Sequence, residues 1–200
     1  MKDTKLKTTK LKNYLKSWGS QVVKDAKENL NAAGKGGGNL ERSIKVNVTE
    51  NNGEFDIQFS MADYGAFVDK GVRGIGGTIK SQNKRTNGVR FYQTWDGKKK
   101  QSPFKFGSGR GSGSIYTGIG SFIRKKGLQP RSKGGQFMTT AGLKIAIVRT
   151  LWIKGIKGIS FFQKPFGSFY KDLPEGLLKN LKADIIDSLM RIGLTKTPKV

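Results

Sequence analysis

The stretch IKVNVTENNGEFDIQF, residues 44–59, decides the fold of this chain. Three apolar residues alternate with polar ones before its centre and three after it: Ile44, Val46 and Val48, then Phe55, Ile57 and Phe59. Between them, Asn51-Asn52-Gly53 supplies residue types that tolerate the positive φ angles of a tight turn. The pattern therefore predicts an antiparallel hairpin with one apolar face, which another element must cover.

The segments around the hairpin predict helices. Apolar residues recur every three or four positions from Leu11 to Leu30, the period of an amphipathic helix, and the Gly-rich run 34–38 ends it. A short helix is predicted to end at Gly71, a second helical stretch covers 137–153, and a last helix opens with Pro174 in its first turn and runs to Gly193. The fold class predicted is α+β: an antiparallel sheet packed by a long N-terminal helix and a C-terminal helix.

Residues 71–140, the basic segment, differ in composition from the rest of the chain. They contain 15 of the 28 glycines and 15 Lys or Arg residues with one acid, Asp96, which places +14 of the total +24 charge here. Two interpretations fit this composition equally: an extended arm that becomes ordered against a partner, or a self-folded β-rich insertion with solvated lysines. In both cases the chain is predicted to be one domain over residues 1–200 that contains this insertion.

Charge and missing residue types limit the function. A net charge of +24 indicates an anionic partner, whether nucleic acid, a membrane surface or an acidic protein. The absence of Cys and His excludes thiol nucleophiles, imidazole bases and nitrogen- or sulfur-ligated zinc sites. No apolar run approaches the length of a membrane span and no signal peptide is evident. We therefore expect a non-enzymatic protein without a cofactor, without membrane contact, and assembled in a reducing cytoplasm.

Two acidic pairs are the remaining candidates for metal chemistry. Glu54 and Asp56 share a strand face, and Asp184 and Asp187 share a helix face, so either pair could hold a divalent ion in a nuclease. Neither has a third partner in the sequence, and both are interpreted as solvated faces of amphipathic elements. The Gly-rich strings of the basic segment lack the spacing of nucleotide-binding loops.

Clustered cations are the candidate contacts to an anionic partner. Backbone phosphates of DNA would be bound without sequence preference, since no base-reading motif accompanies the cations. An acidic protein face is an equally good partner. The candidate residues are Lys84, Arg85, Lys98, Lys99, Lys100, Arg124, Lys125 and Lys126.

Three motifs occur in a characteristic order along the chain. GNLERSI at 38–44 precedes the hairpin, YGAFVDKG at 64–71 follows it, and KGIKGISFFQKPF at 154–166, the closing segment, precedes the last helix. In this order they resemble the neck or tail-completion proteins of tailed bacteriophages, a family of head–tail connector and minor capsid proteins. The resemblance assigns structural roles to Leu40, Ser43, Ile44, Tyr64, Phe67, Val68, Asp69, Gly71, Phe161, Phe162, Pro165 and Phe166.

The resemblance implies a structural virion protein rather than an enzyme. Its subunits would form a homo-oligomeric ring of roughly six or twelve copies at the head–tail junction. Its partners would be the portal or adaptor and the tail proteins, with non-specific contact to packaged DNA. Tyr64, Phe67 and Val68 would anchor the corner between sheet and helix, and the phenylalanines would pack the closing segment. A monomeric, sequence-independent nucleic-acid-binding protein of DNA packaging is the alternative, and a metal-dependent nuclease is a distant third.

Overall fold

A computed structural model describes residues 7–79, 83–107, 115–129, 131, 135 and 139–191. The fold is α+β, as predicted. The chain divides into two compact units: the first comprises residues 1–65, 94–98 and 161–200, and the second comprises residues 66–93 and 99–160. In chain order the elements are α1 (Thr9–Ala32), α2 (Asn39–Ser43), β1 (Lys45–Asn51), β2 (Glu54–Ser60), α3 (Gly65–Lys70), β3 (Val72–Arg73), β4 (Gly77–Ile79), β5 (Lys84–Thr86), β6 (Phe91–Gln93), β7 (Lys99–Gln101), α4 (Ile115–Lys126), α5 (Thr140–Lys154), β8 (Gly155–Ile156) and α6 (Gln163–Arg191).

The predicted hairpin is confirmed in the first unit. Strands β1 and β2 pair antiparallel with Val48 opposite Ile57, and the turn places Asn52 at φ 50° and Gly53 at φ 86°. Side chains alternate between half-buried and exposed along both strands, as the alternation of residue types requires. The predicted cover is also confirmed, because Trp18 of α1 meets Phe59 of β2 edge-on, with 6.0 Å between ring centroids.

Helix α1 supplies most of the buried apolar surface of the first unit. Its buried stripe follows the predicted period, and Val22, Ala26 and Leu30 have no exposed surface. At Gly19 the helix approaches the hairpin so closely that a Cβ atom would lie 2.7 Å from Cγ2 of Val46. A side chain at position 19 would therefore push helix and sheet apart.

The predicted start of the last helix is wrong. Helix α6 begins at Gln163, so Pro174 lies in its interior rather than in its first turn. A proline in a helix removes one backbone hydrogen bond and strains the preceding turn. Two side chains of α1 donate to carbonyl oxygens of that turn, the Trp18 indole N–H to Phe169 at 3.0 Å and the Tyr14 hydroxyl to Asp172 at 3.5 Å. These tertiary contacts allow the helix to continue through the proline. The predicted end at Gly193 lies outside the described residues.

The second unit is built from short strand pairs and helices. β3 pairs with β8, β4 with β5, and β6 with β7, all antiparallel, and α4 packs against α5. Helix α5 confirms the second predicted helical stretch, although Phe137, its predicted first residue, lies outside the described residues. The described part of the basic segment contains β3 to β7 and α4, which are features of a self-folded insertion. This unit continues past the predicted boundary at Thr140 to Ser160.

Asp184 was interpreted from sequence as part of a solvated helix face, and this interpretation is wrong. Only 3% of the residue is exposed. Its two carboxylate oxygens accept the backbone N–H groups of Lys10 at 3.0 Å and of Leu11 at 2.9 Å, in the first turn of α1. These N–H groups have no partner within the helix, and a negative charge is favourable at a helix N-terminus. Asp184 of α6 thus caps α1 across the unit.

Asp184→Ala is expected to lower the free energy of unfolding of the first unit by about 3 kcal/mol, because two charge-assisted hydrogen bonds are lost and the Leu11 N–H stays buried without an acceptor. Thermal denaturation followed by circular dichroism would measure the loss. The matched control is Asp187→Ala on the same helix, whose half-exposed ion pair with Lys10 at 2.8 Å contributes about 0–1 kcal/mol. Equal effects of the two substitutions would contradict the capping role.

Candidate interaction surface

The core of the second unit joins two of the three sequence motifs. Val72 and Arg73 of β3 pair with Ile156 and Gly155 of β8. The pairing continues beyond these strands, because the N–H of Ser160, which follows β8, donates to the carbonyl of Asp69, which precedes β3, at 2.9 Å. The end of the YGAFVDKG motif and the start of the closing segment therefore form one backbone-paired structure.

Gly71 has a larger role than the helix cap that its position suggested. Its φ is +75°, and a Cβ atom would lie 2.4 Å from the backbone N of Gly158 and 2.5 Å from the backbone O of Ile156. A Cβ atom on Gly158 would in turn meet the backbone of Lys70 at 2.6 Å. The two segments thus touch through their backbones at facing glycines. Sequence reasoning included Gly158 in the closing segment but assigned it no role of its own.

A third stretch of chain, residues 102–106, completes this core. The Ser102 hydroxyl donates to the carbonyl of Gly71 at 2.7 Å, and Arg73 exchanges backbone hydrogen bonds with Phe104 and Phe106 at 2.8 and 2.9 Å. Both phenylalanine rings have aromatic partners, Phe67 at 4.5 Å and Trp152 at 5.4 Å respectively. These aromatic residues of the basic segment pack within the unit.

The first motif and the phenylalanines of the closing segment pack within the first unit. Leu40, Ile44 and Phe161 are buried, as is Pro165. The Ser43 hydroxyl donates to the carbonyl of Leu40 at 2.7 Å and accepts the N–H of Ala62 at 2.9 Å. Aromatic contacts link Phe162 and Phe166 to each other and to Phe59, at centroid distances of 5.2 to 6.1 Å.

Glu41 stabilises the entry to the first motif. Its carboxylate accepts the backbone N–H of Gly37 at 2.5 Å and the side-chain amide of Asn31 at 2.9 Å, and these two hydrogen bonds lower the pKa of Glu41. The Asn31 donor lies in the last turn of α1, and the Gly37 donor lies in the Gly-rich run that follows this helix. The run is therefore held by a carboxylate at the start of α2 rather than being a free joint.

The structure does not place the YGAFVDKG aromatics as buried anchors. Tyr64 is 43% exposed and Phe67 is 37% exposed, whereas Gly65 and Asp69 are buried and Val68 is half-buried. Gly65 and Asp69 are four residues apart and share the inward face of α3. Tyr64 lies just before α3 and is exposed, and its role as an anchor of the corner between sheet and helix stays a prediction.

Positive charge is concentrated in the second unit. Its residues include 19 Lys or Arg and one acid, Asp69, which leaves +18 of the total +24. Asp69 is only 3% exposed. One buried carboxylate cannot balance so many cations, so the unit presents a surface of nearly unopposed positive charge.

Seven of the eight predicted cationic residues occupy three places in the second unit. Lys84 and Arg85 lie exposed on β5, Lys99 and Lys100 lie exposed on β7, and the last turn of α4 carries the third cluster. Cations in the last turn also favour the helix itself through its dipole. The third cluster, Arg124, Lys125 and Lys126, therefore has a structural reason to be there as well as a binding one.

Lys98, the remaining predicted contact, has a local partner. It lies in the first unit, in the turn 94–98, and pairs with Asp96 at 3.1 Å. Hydrogen bonds from Thr94 and Lys98 lower the pKa of Asp96 to about 2, which keeps this pair charged. The same turn packs on α6, where a Cβ atom on Gly167 would collide with the carbonyl of Trp95. Lys98 thus has a local structural role, and its contact role stays a prediction.

Cations of the second unit stand over aromatic rings. Lys99 Nζ lies 4.9 Å from the ring centroid of Phe91 on the paired strand, and Phe91 is itself exposed. On α5, Lys144 Nζ lies 3.6 Å from the ring centroid of Tyr116. Such cation–aromatic pairs position the side chains and also suit stacking with nucleic-acid bases.

Two arginines of the second unit carry buried donors. The Nε atoms of Arg73 and Arg90 are buried and meet no hydrogen-bond acceptor within the described ranges. An unsatisfied buried donor is costly, so these two side chains are held in place at a cost in stability.

The described residues contain no group of three or more Asp, Glu, His or Cys side chains that could hold a metal ion. None of the helices within the described ranges is long and apolar enough to cross a membrane. Comparisons of this chain with protein-family models, with curated proteins and with solved structures found no match.

Proposed function

We propose that this chain is a structural subunit of the head–tail junction of a tailed bacteriophage, a ring-forming neck or tail-completion protein that joins the portal-side connector to the tail. The observation that carries the proposal is the charge of the second unit. Its net charge is +18, and its one carboxylate, that of Asp69, is buried. A surface of this kind fits a permanent anionic neighbour, such as packaged DNA or an acidic face of an adjoining virion protein.

Exposed apolar side chains of the first unit support a ring-forming subunit. Helix α6 carries several of them in the half that follows its proline: Leu178, Ile185, Ile186 and Met190. Exposed apolar patches of this kind mark protein interaction sites. In a ring they would meet a different surface of the next copy, since head-to-tail contacts close rings.

A sequence-independent nucleic-acid-binding protein acting in DNA packaging remains the second candidate. The cation over Phe91 on the exposed β6–β7 hairpin favours it, because aromatic rings beside cations bind single strands without sequence preference. The two candidates differ in assembly state. A ring subunit is multi-copy in the virion, whereas the packaging protein acts as a monomer.

Mass spectrometry of purified virions is expected to detect the chain in multiple copies per particle, because a neck ring stays in the mature virion. Light scattering of the purified chain with its neighbouring virion proteins should give the mass of a closed ring. Presence in infected-cell lysate together with absence from complete virions would contradict a neck role. A monomer that binds DNA under the same conditions would favour the second candidate.

A further inference from the structure

Helix α5 and strand β4 border an apolar groove on the second unit. The groove has a volume of about 270 Å³ and is lined by Ile79, Gly142, Ile145, Ala146, Arg149, Thr150 and Ile153. Ile145 is 54% exposed, and along the whole of α5 Ile153 is the one buried residue. A helix with apolar residues all round is normally buried, so α5 has more apolar surface than the described part of its unit covers.

The lining of the groove is a poor match for a small polar ligand, and its volume is at the lower end for a ligand site. Sites for cofactors and drug-sized molecules have volumes of about 300–1,000 Å³ and several convergent polar groups. Here the Thr150 hydroxyl already donates to the carbonyl of Ala146 at 2.8 Å, and Arg149 is the one charged residue of the lining. The groove therefore suits one or two aliphatic side chains of a protein.

Charge decides among protein and nucleic-acid occupants. The same unit of a second copy would bring +18 against +18, which repels. A nucleic acid would satisfy the charge, but its single methyl group on thymine offers much less aliphatic surface to the isoleucines than a Leu side chain does. A protein segment with apolar residues on one face and carboxylates beside them satisfies both requirements.

We propose that the groove between α5 and β4 binds an acidic, amphipathic segment of a partner protein, with aliphatic side chains of the segment between Ile79, Ile145 and Ile153 and a carboxylate on Arg149. The proposal goes beyond the neck assignment and does not depend on it. Virion mass spectrometry can fail to detect the chain although the groove binds such a segment. Equally, it can detect the chain although the groove binds none.

The test uses the full chain and a synthetic peptide of about 18 residues that places Leu on one helical face and Glu elsewhere. Fluorescence anisotropy should show saturable binding, with at least about tenfold weaker binding for a scrambled peptide of identical composition. Ala146→Leu, which fills the groove, and Arg149→Glu, which reverses its charge, should each weaken binding about tenfold or more.

Each variant has a matched control. Ala141→Leu makes the same change at an exposed position of α5 outside the groove lining, and Lys157→Glu makes the same charge change at an exposed position of the second unit that is neither in the groove nor among the candidate contacts. Both controls should alter peptide affinity less than about twofold. Circular dichroism must show unchanged folding, and Ala146→Leu adds apolar volume at an exposed helical site that tolerates it.

A single-stranded dT20 oligonucleotide supplies the competing outcome. Its binding should weaken equally with Arg149→Glu and Lys157→Glu, because non-specific binding depends on the cations of the unit and not on the groove. Equal affinity for the amphipathic and scrambled peptides, or equal effects of Arg149→Glu and Lys157→Glu on peptide binding, would overturn the proposal. Weaker dT20 binding by Ala146→Leu without any effect on the peptide would overturn it too and assign the groove to nucleic acid.

Discussion

Gly71→Ala is expected to prevent the second unit from folding, at a cost of more than about 4 kcal/mol, which is most of the stability of a typical domain. Two costs add. The left-handed φ of +75° costs an alanine about 1–2 kcal/mol. The new Cβ atom would then lie 2.4 Å from the backbone N of Gly158, and backbone atoms held by the pairing of β3 with β8 cannot move aside cheaply.

Gly127→Ala is the matched control for this prediction. Gly127 belongs to the same unit and has a φ of +59°, but a Cβ atom there would meet nothing within 4 Å. It should cost only the backbone term of about 1–2 kcal/mol. Hydrogen exchange of the second unit in both variants measures the difference. Similar protection in Gly71→Ala and Gly127→Ala would show that the close approach of the two segments is not needed for folding.

The hairpin and α1 could be predicted from sequence because their information is local. Alternation of apolar residues around Asn52-Gly53 specifies both the strands and the turn, and the helical period from Leu11 specifies the face that covers them. In each of these elements the residues favour the secondary structure that they adopt. A structure in which local preference and tertiary packing agree is the easiest to derive.

Helix α6 could not be placed correctly, because tertiary contacts override its local signals. Pro174 marks a helix start on propensity alone. The helix nevertheless begins at Gln163, since Phe162, Phe166 and Tyr170 stack at four-residue spacing and Trp18 donates to the turn before the proline. The same limit hid Asp184, whose partners are 173 and 174 residues away in sequence.

The candidate surface was predictable in composition but not in arrangement. Counting residues located the excess charge. Only the fold shows that Lys98 pairs with Asp96, whereas the next two residues, Lys99 and Lys100, lie on β7. The fold also shows that the second unit extends to Ser160 and that the one acid of this unit, Asp69, is buried. The sequence also does not indicate that Gly71 and Gly158 face each other, because nothing in the residues around either glycine specifies its partner.

On the proposed neck function, the triple variant Lys84→Glu, Arg85→Glu and Lys100→Glu is expected to abolish incorporation of the chain into virions without unfolding it. All three residues are exposed on β5 and β7, and exposed charges contribute little to stability. At an interface with an anionic partner, however, like charges in contact cost several kcal/mol. A cost of about 3 kcal/mol weakens association more than a hundredfold. Mass spectrometry of particles and thermal denaturation of the chain measure the two effects.

A second triple variant separates local charge from total charge. Lys16→Glu, Lys45→Glu and Lys164→Glu change the net charge equally, but at exposed positions of the first unit, whose 13 acids already oppose its 19 cations. We expect this variant to enter virions, because the cations of the second unit are intact. If both triple variants were excluded to the same extent, incorporation would depend on overall charge alone. If neither were excluded, β5 and β7 would not face the anionic partner, and the apolar contacts of the chain would have to carry assembly without them.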